Sequence, residues 1–208
     1  MSDLQSRAAT LVALVLVLFV PICVHAGWCE LVLRGMTACA CVEWIAAARS
    51  APASSRRRLA LILVALPAWA APTLWLIPSF LRAGEPLGHA RCMELLVIVM
   101  IVSDSAQLLV GRAFGRTRIV PSISPNKTLE GYAGGLVATL AYGGAVHGWS
   151  YDRLLVAFAA GVAGDLYFSL AKRQLGVKDF SPALGSHGGI SDRIDSYAFA
   201  LNALWLWG

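Results

Sequence analysis

Asp152-Arg-Leu-Leu-Val-Ala-Phe-Ala-Ala-Gly-Val-Ala-Gly-Asp165-Leu-Tyr-Phe-Ser-Leu170 is the stretch whose reading decides the fold. Between Arg153 and Lys172 its single charged side chain is Asp165. Coiled as an α-helix at 1.5 Å per residue, such a run is about 28 Å long, close to the ~30 Å hydrocarbon thickness of a bilayer. Backbone left unpaired in hydrocarbon is costly, so a spanning segment of this kind is expected to be helical. A carboxylate inside it is expensive and is a functional candidate by default.

The rest of the 208-residue chain has the same character. It is 58% hydrophobic and 14% charged, with mean hydropathy +0.67, whereas soluble domains carry about 25% charged residues. This excludes a disordered chain and argues against a soluble domain. Apolar runs are read at Thr10 to Ala26, Trp28 to Ala48, Leu59 to Phe80, Cys92 to Val110, Gly131 to Trp149, Asp152 to Leu170 and Arg193 to Trp207. The expectation is an all-α, polytopic membrane bundle of about seven helices. Residues 1–91 form the N-terminal spans and 92–208 the part holding the site, within one membrane domain. The glycines of the fifth run favour close helix contact, and a homodimer through it is compatible with that pattern.

The net charge of +5 is assigned to loop topology and not to nucleic-acid binding. Alternation places Arg7, Arg49, Arg56, Arg57, Arg58, Arg112, Arg116, Arg118, Lys127, Lys172, Arg173, Lys178 and Arg193 on one side, against Arg34, Arg82, Arg91 and Arg153 on the other. The richer side is expected to be cytoplasmic, as in a bacterial inner membrane. Cys23, Cys29, Cys39, Cys41 and Cys92 read as small buried apolar residues, and His25, His89 and His147 lack metal-ligand spacing. Glu43 and Arg34 could pair with other helices or line a cavity.

Polar residues concentrate between Asp165 and Asp195. Asp165, Ser169 and Lys172 share one helical face. Gly188 and Gly189 precede a helix start at which Asp192 and Asp195, three apart, again share a face. Either acid could simply favour the helix dipole. Carboxylates mixed with cations suit a phosphate held through Mg²⁺, which takes one or two carboxylates plus substrate oxygens. A second cluster comprises Asp104, Gln107, Gly111 to Arg116 and Ser124 to Gly131. There Lys127 and Thr128 at a helix start could contact phosphates, and Glu130 could cap the helix or pair with a cation.

These residues resemble the phosphatidate cytidylyltransferases, also called CDP-diacylglycerol synthases. The resemblance is carried by Ser169, Lys172-Arg173, Lys178-Asp179, His187-Gly188-Gly189, Asp192-Arg193 and Asp195. Ser124-Pro125-x-Lys127-Thr128-x-Glu130-Gly131 and Gly111-Arg112-x-Phe114-Gly115 add to it. It covers Asp104 to Ser196. It implies transfer of a cytidylyl group from CTP to phosphatidic acid, giving CDP-diacylglycerol and pyrophosphate, with Mg²⁺ and a second, monovalent cation as an option. Asp165 and Asp192 would be metal ligands, supported by Asp195, and Lys172, Arg173, Lys178, His187 and Arg193 would hold phosphates. Lys127 and Thr128 would line the same pocket, and Asp104, Ser124, Ser169, Asp179, Gly188 and Gly189 complete the substrate-binding set. The chain departs from the family pattern at Phe168, where Glu is usual, at Gln107-Leu108 and at Gly185-Ser186, and it is shorter than ordinary bacterial members. The alternatives are a CTP-dependent transferase with another lipid phosphate as acceptor, such as an isoprenoid glycerophosphate, and a non-catalytic lipid-binding or transport protein.

Overall fold

The structure, a computed structural model, describes residues 26–52, 60, 69–71, 73–74, 91, 94–95, 97–184 and 188–207. The first expected span, most of the third, the 53–59 loop, His187 and Gly185-Ser186 lie outside the described residues. Five helices occupy the other expected spans: α1 (Ala26–Ser50), α2 (Asp104–Phe114, entered through a π-helical segment Val97–Ser103), α3 (Leu129–Ala145), α4 (Tyr151–Leu175) and α5 (Ser191–Trp207). No strand occurs among the described residues. The architecture is that of an all-α membrane protein. Leu31–Ser50, Val97–Phe114 and Tyr151–Leu175 are each long and apolar enough to cross a bilayer.

Expected boundaries move. α2 continues to Phe114, beyond Val110, α4 continues to Leu175, beyond Leu170, and α3 stops at Ala145, short of Trp149. In α4 the extra turn carries Lys172 and Arg173, cations that favour the negative end of the helix dipole, and Gly176 at φ +72° then ends the helix. The expected long polar loop is therefore shorter, and Lys172 and Arg173 lie on the helix.

The chain resolves into two compact units, Met1–Met93 with Gln174–Ile194 and Glu94–Arg173 with Asp195–Gly208. In the first, Leu33, Thr37, Ala40, Trp44 and Ala47 form the buried stripe of α1, while Leu31, Val42 and Ile45 face outwards. An apolar outward face is costly in water and neutral in lipid. Trp44 stacks on Phe180 with centroids 4.8 Å apart. Cys39 is an exposed free thiol and Cys41 a half-buried one, so burial expected for both is not what holds them in this helix. Both sit on an apolar spanning segment, where a thiol facing lipid costs little.

In the second unit α3 lies against α2 at very short range. A Cβ on Gly131 would stand 2.8 Å from the Gln107 carbonyl oxygen, and one on Gly135 would stand 2.5 Å from Gln107 Cγ. Close approach of this kind replaces hydrophobic driving force, which helices in lipid lack. α4 and α5 meet likewise at Gly164, where a Cβ would strike the Asp195 carbonyl and Phe199. Phe168 is fully buried and packs edge-on to Phe199 and Tyr167. His147 sits 3.5 Å from Glu94, whose other oxygen accepts from Trp149 Nε1 at 2.7 Å.

Gly131→Ala is expected to destabilise the fold by about 1–3 kcal/mol, because its neighbour is backbone and cannot turn aside. Val137→Ala, on the outward face of the same helix, should cost less than about 0.5 kcal/mol. Thermal unfolding in detergent micelles measures both.

Candidate active site

A cavity of about 610 Å³ opens in the second unit, walled by one side of α2 along its length, the start of α3 and the loop between them. This lies within the ~300–1,000 Å³ range of small-molecule sites. Its polar lining comprises Asp104, Gln107, Arg112, Arg118, Asn126, Lys127, Thr128 and Tyr132. Three cations and one carboxylate thus share one concave surface.

Lys127 is its hinge. Its Nζ lies 2.8 Å from Asp165 Oδ2 on α4 and donates to Gln107 Oε1 at 3.4 Å. The amide of Gln107 in turn donates to Ser103 Oγ at 3.0 Å and Asp104 Oδ1 at 3.4 Å. Burial works against the Lys127 charge. Attraction to Asp165, the hydrogen bond to it and attraction to Asp104 outweigh that cost and hold its pKa above the usual lysine value. The ammonium also lies 5.8 Å from the centre of the Tyr132 ring.

The 115–128 loop that presents Lys127 is tied at several points. Arg118 and Thr128 form an antiparallel bridge, and Leu129 N donates to Thr117 O at 2.9 Å. Thr128 caps α3, its hydroxyl accepting from Gly131 N at 3.1 Å. Glu130 reaches back to the loop, accepting from Arg116 N at 3.1 Å and Thr117 N at 3.2 Å. Backbone N–H groups, its own first and then that of Arg116, hold this exposed carboxyl down at a pKa of about 2. These bonds tie the loop backbone to α3, a use of Glu130 different from both a helix cap and a cation pair. Arg173, at the end of α4, donates from Nε to the Ile123 carbonyl at 3.1 Å, beside the turn containing Ser124.

Asp165, Ser169 and Lys172 share a face of α4, with Ser169 buried. Asp104, Gln107, Asp165 and Ser196 line a small void of about 10 Å³. Asp195 is buried, and its Oδ1 accepts from Ser196 N at 2.7 Å. Among the described residues no three His, Cys, Asp or Glu side chains are grouped closely enough to hold a metal by themselves.

The first unit holds the remaining expected residues. Gly188 has φ +78° and a Cβ there would meet Asp192 Oδ2 at 2.9 Å. Asp192 Oδ2 accepts from Gly189 N at 2.9 Å and Phe180 N at 3.4 Å. Lys178, Asp179 and Arg193 are exposed.

Within one unit, then, the structure gathers Asp104, Lys127, Thr128, Asp165 and Asp195, with Ser124 on the adjoining loop and Arg173 reaching that loop from the end of α4. Gly188, Gly189 and Asp192 form a separate hydrogen-bonded turn. Sequence reasoning counted both Arg112 and Arg118 with the loop cations of topology and left both out of the substrate-binding set, yet both line the cavity. The Gly111-Arg-x-Phe-Gly115 pattern was a signal for Arg112. For Arg118 there was none, because only the bridge to Thr128 turns that segment inwards.

Apolar helices long enough to span a bilayer, with a polar cavity of small-molecule size beside them, define an integral membrane protein. A model of the cytidylyltransferase family matches residues 5–207, and the chain belongs to that family. It is 38% identical over 138 residues to the phosphatidate cytidylyltransferase of Brucella suis, covering 62% of this chain and 51% of that protein. It is 38% identical over 112 residues to the Aquifex aeolicus protein of the same name (50% and 42%) and 38% over 117 residues to that of Bacillus subtilis (52% and 44%). The chain spans about half the length of the curated relatives it matches.

Glu130→Gln tests the loop. The lowered carboxyl contributes stability that is complete above its ordinary pKa of 4.5 and is lost as pH falls towards about 2. The stability gap between wild type and Glu130→Gln should therefore be constant above pH 4.5 and narrow below it, as read by melting curves across that range.

Proposed function

We propose that this chain transfers a cytidylyl group from CTP to phosphatidic acid, yielding CDP-diacylglycerol and pyrophosphate. The observation that carries this is the cavity in which Lys127, Arg112 and Arg118 face a carboxylate at the edge of spanning helices, in a chain of the cytidylyltransferase family. Three cations suit the phosphates of a nucleotide and of a lipid head group, and a bare anion binder would gain nothing from Asp104 and Asp165 beside them.

In the proposed reaction a phosphate oxygen of the lipid attacks the α-phosphorus of CTP. A P–O–P bond forms as the bond to pyrophosphate breaks. Phosphatidate is already anionic at neutral pH, so no general base is required. Lys127, Arg112 and Arg118 would bind the phosphates and stabilise charge that spreads over them in the transition state. Asp165 fixes Lys127 by their 2.8 Å ion pair, and Gln107 fixes it from the other side at 3.4 Å. Lys172 and Arg173, at the end of α4, would extend the cationic rim.

Mg²⁺ fits this chemistry without a closed protein cage, since it is commonly held by one or two carboxylates plus substrate phosphates. Asp165 and Asp195 are the proposed ligands in the second unit, and Asp192 is proposed from the motif alone. When bound, the ion would neutralise phosphate oxygens. The cation-rich loops support a site facing the cytoplasm at the bacterial inner membrane.

The test is pyrophosphate release by detergent-purified protein given labelled CTP, phosphatidate and Mg²⁺. Turnover is expected, and EDTA should abolish it. Lys127→Ala should lower kcat/KM by about 100-fold, the scale of one lost charge-stabilising donor. Absence of release with phosphatidate and a panel of other lipid phosphates would exclude a transferase, and release with another acceptor alone would change the substrate.

A further inference from the structure

The N-terminal helix α1 shares little with the motifs above beyond hydrophobicity, yet it carries a buried carboxylate. Glu43 is 8% exposed on a spanning helix. Such a group is costly in lipid unless its oxygens are met by donors. Both are met by the same short backbone segment. Oε1 accepts from Ile190 N at 3.0 Å and Oε2 from Ser191 N at 2.8 Å. Ser191 Oγ donates in return to the Ala40 carbonyl, one turn back on α1, at 3.4 Å.

These are among the first amide groups of α5, which have no partner within their own helix. α1 thus supplies a cap to the start of α5. The glycine before it is shaped to the same contact. A Cβ on Gly189 would stand 2.7 Å from Glu43 Oε2 and 3.0 Å from Cδ. One residue along α1, Trp44 stacks on Phe180 at 4.8 Å with planes 19° apart. Phe180 N and Gly189 N converge on Asp192 Oδ2. Phe180 on one side and Ile190 with Ser191 on the other are therefore held by two consecutive side chains of one helix.

We propose that Glu43 is a positioning residue for substrate binding: it sets the Gly188-Gly189 turn and, through it, the Asp192 carboxylate. The proposal rests on the cytidylyltransferase reading above for its substrate, CTP. Glu43 touches no substrate itself. Its carboxylate fixes where the turn's backbone and Asp192 stand when the nucleotide arrives.

Glu43→Gln keeps the size of the side chain and replaces one acceptor oxygen with an NH₂ that cannot accept. Equilibrium binding of labelled CTP to the whole protein in detergent is the measurement, because misfolded protein lowers the number of sites while a misplaced turn raises Kd. The Kd for CTP is expected to rise about tenfold, the value of roughly one charge-assisted hydrogen bond, with site number maintained. Amide exchange at Gly189, Ile190 and Ser191 should accelerate alongside. Faster exchange with Kd unchanged within twofold would reduce Glu43 to a helix cap and overturn the proposal, as would unchanged exchange. Should Glu43→Gln fail to fold, Gly189→Ala presses on the same contact from the other side and is expected to raise Kd similarly; an unchanged Kd there overturns the proposal too. A wild-type protein that binds no CTP would remove the underlying reading, and the exchange result would then report the clamp by itself.

Discussion

The ion pair between Lys127 and Asp165 is the constraint on which the described site depends. A carboxylate on a membrane-spanning helix cannot be left alone in hydrocarbon, and at 2.8 Å the ammonium of Lys127 answers it. Lys127, however, belongs to a loop, and a loop reaches into a bundle only if its own backbone is held. That requirement explains the surrounding bonds: the Arg118–Thr128 bridge, the Thr128 cap, Glu130 accepting from Arg116 and Thr117, and Arg173 gripping the Ile123 carbonyl. Each fixes a piece of chain that would otherwise swing.

Packing supplies the other half. Because α3 approaches α2 at Gly131 and Gly135, the start of α3 stands beside Gln107 and Asp104. The loop then closes over a space of about 610 Å³ with its cations turned inwards. A bulky residue at either glycine would push the helices apart and carry Lys127 away from Gln107. The small residues of a membrane interface and the charged residues of the cavity are here two aspects of one arrangement.

Much of this was legible in the chain itself. Asp165 stood out because it interrupts an apolar run, and Lys127 and Thr128 because they begin a helix after a Pro-containing turn. Phe168 was noticed only as a departure from the family pattern; the structure shows it fully buried against Phe199, where an ionised side chain would be costly. Ends of helices were read less well. α4 outlasts its apolar run because Lys172 and Arg173 suit a helix terminus even though they do not suit lipid. Arg118 and Glu43 were beyond reach for a shared reason. Their roles depend on partners found through tertiary contact, across 147 positions of chain in the bond from Ile190 to Glu43.

That long-range bond also bears on how the protein is made. α1 leaves the ribosome well before α5, so its buried acid waits in the bilayer until α5 is synthesised and delivers two amide donors. Until then Glu43 lacks those two donors and is best accommodated near the head groups. Assembly would thus include a step that seats an early segment and a later one together, so that a chain halted short of α5 would present an orphaned acid to membrane quality control.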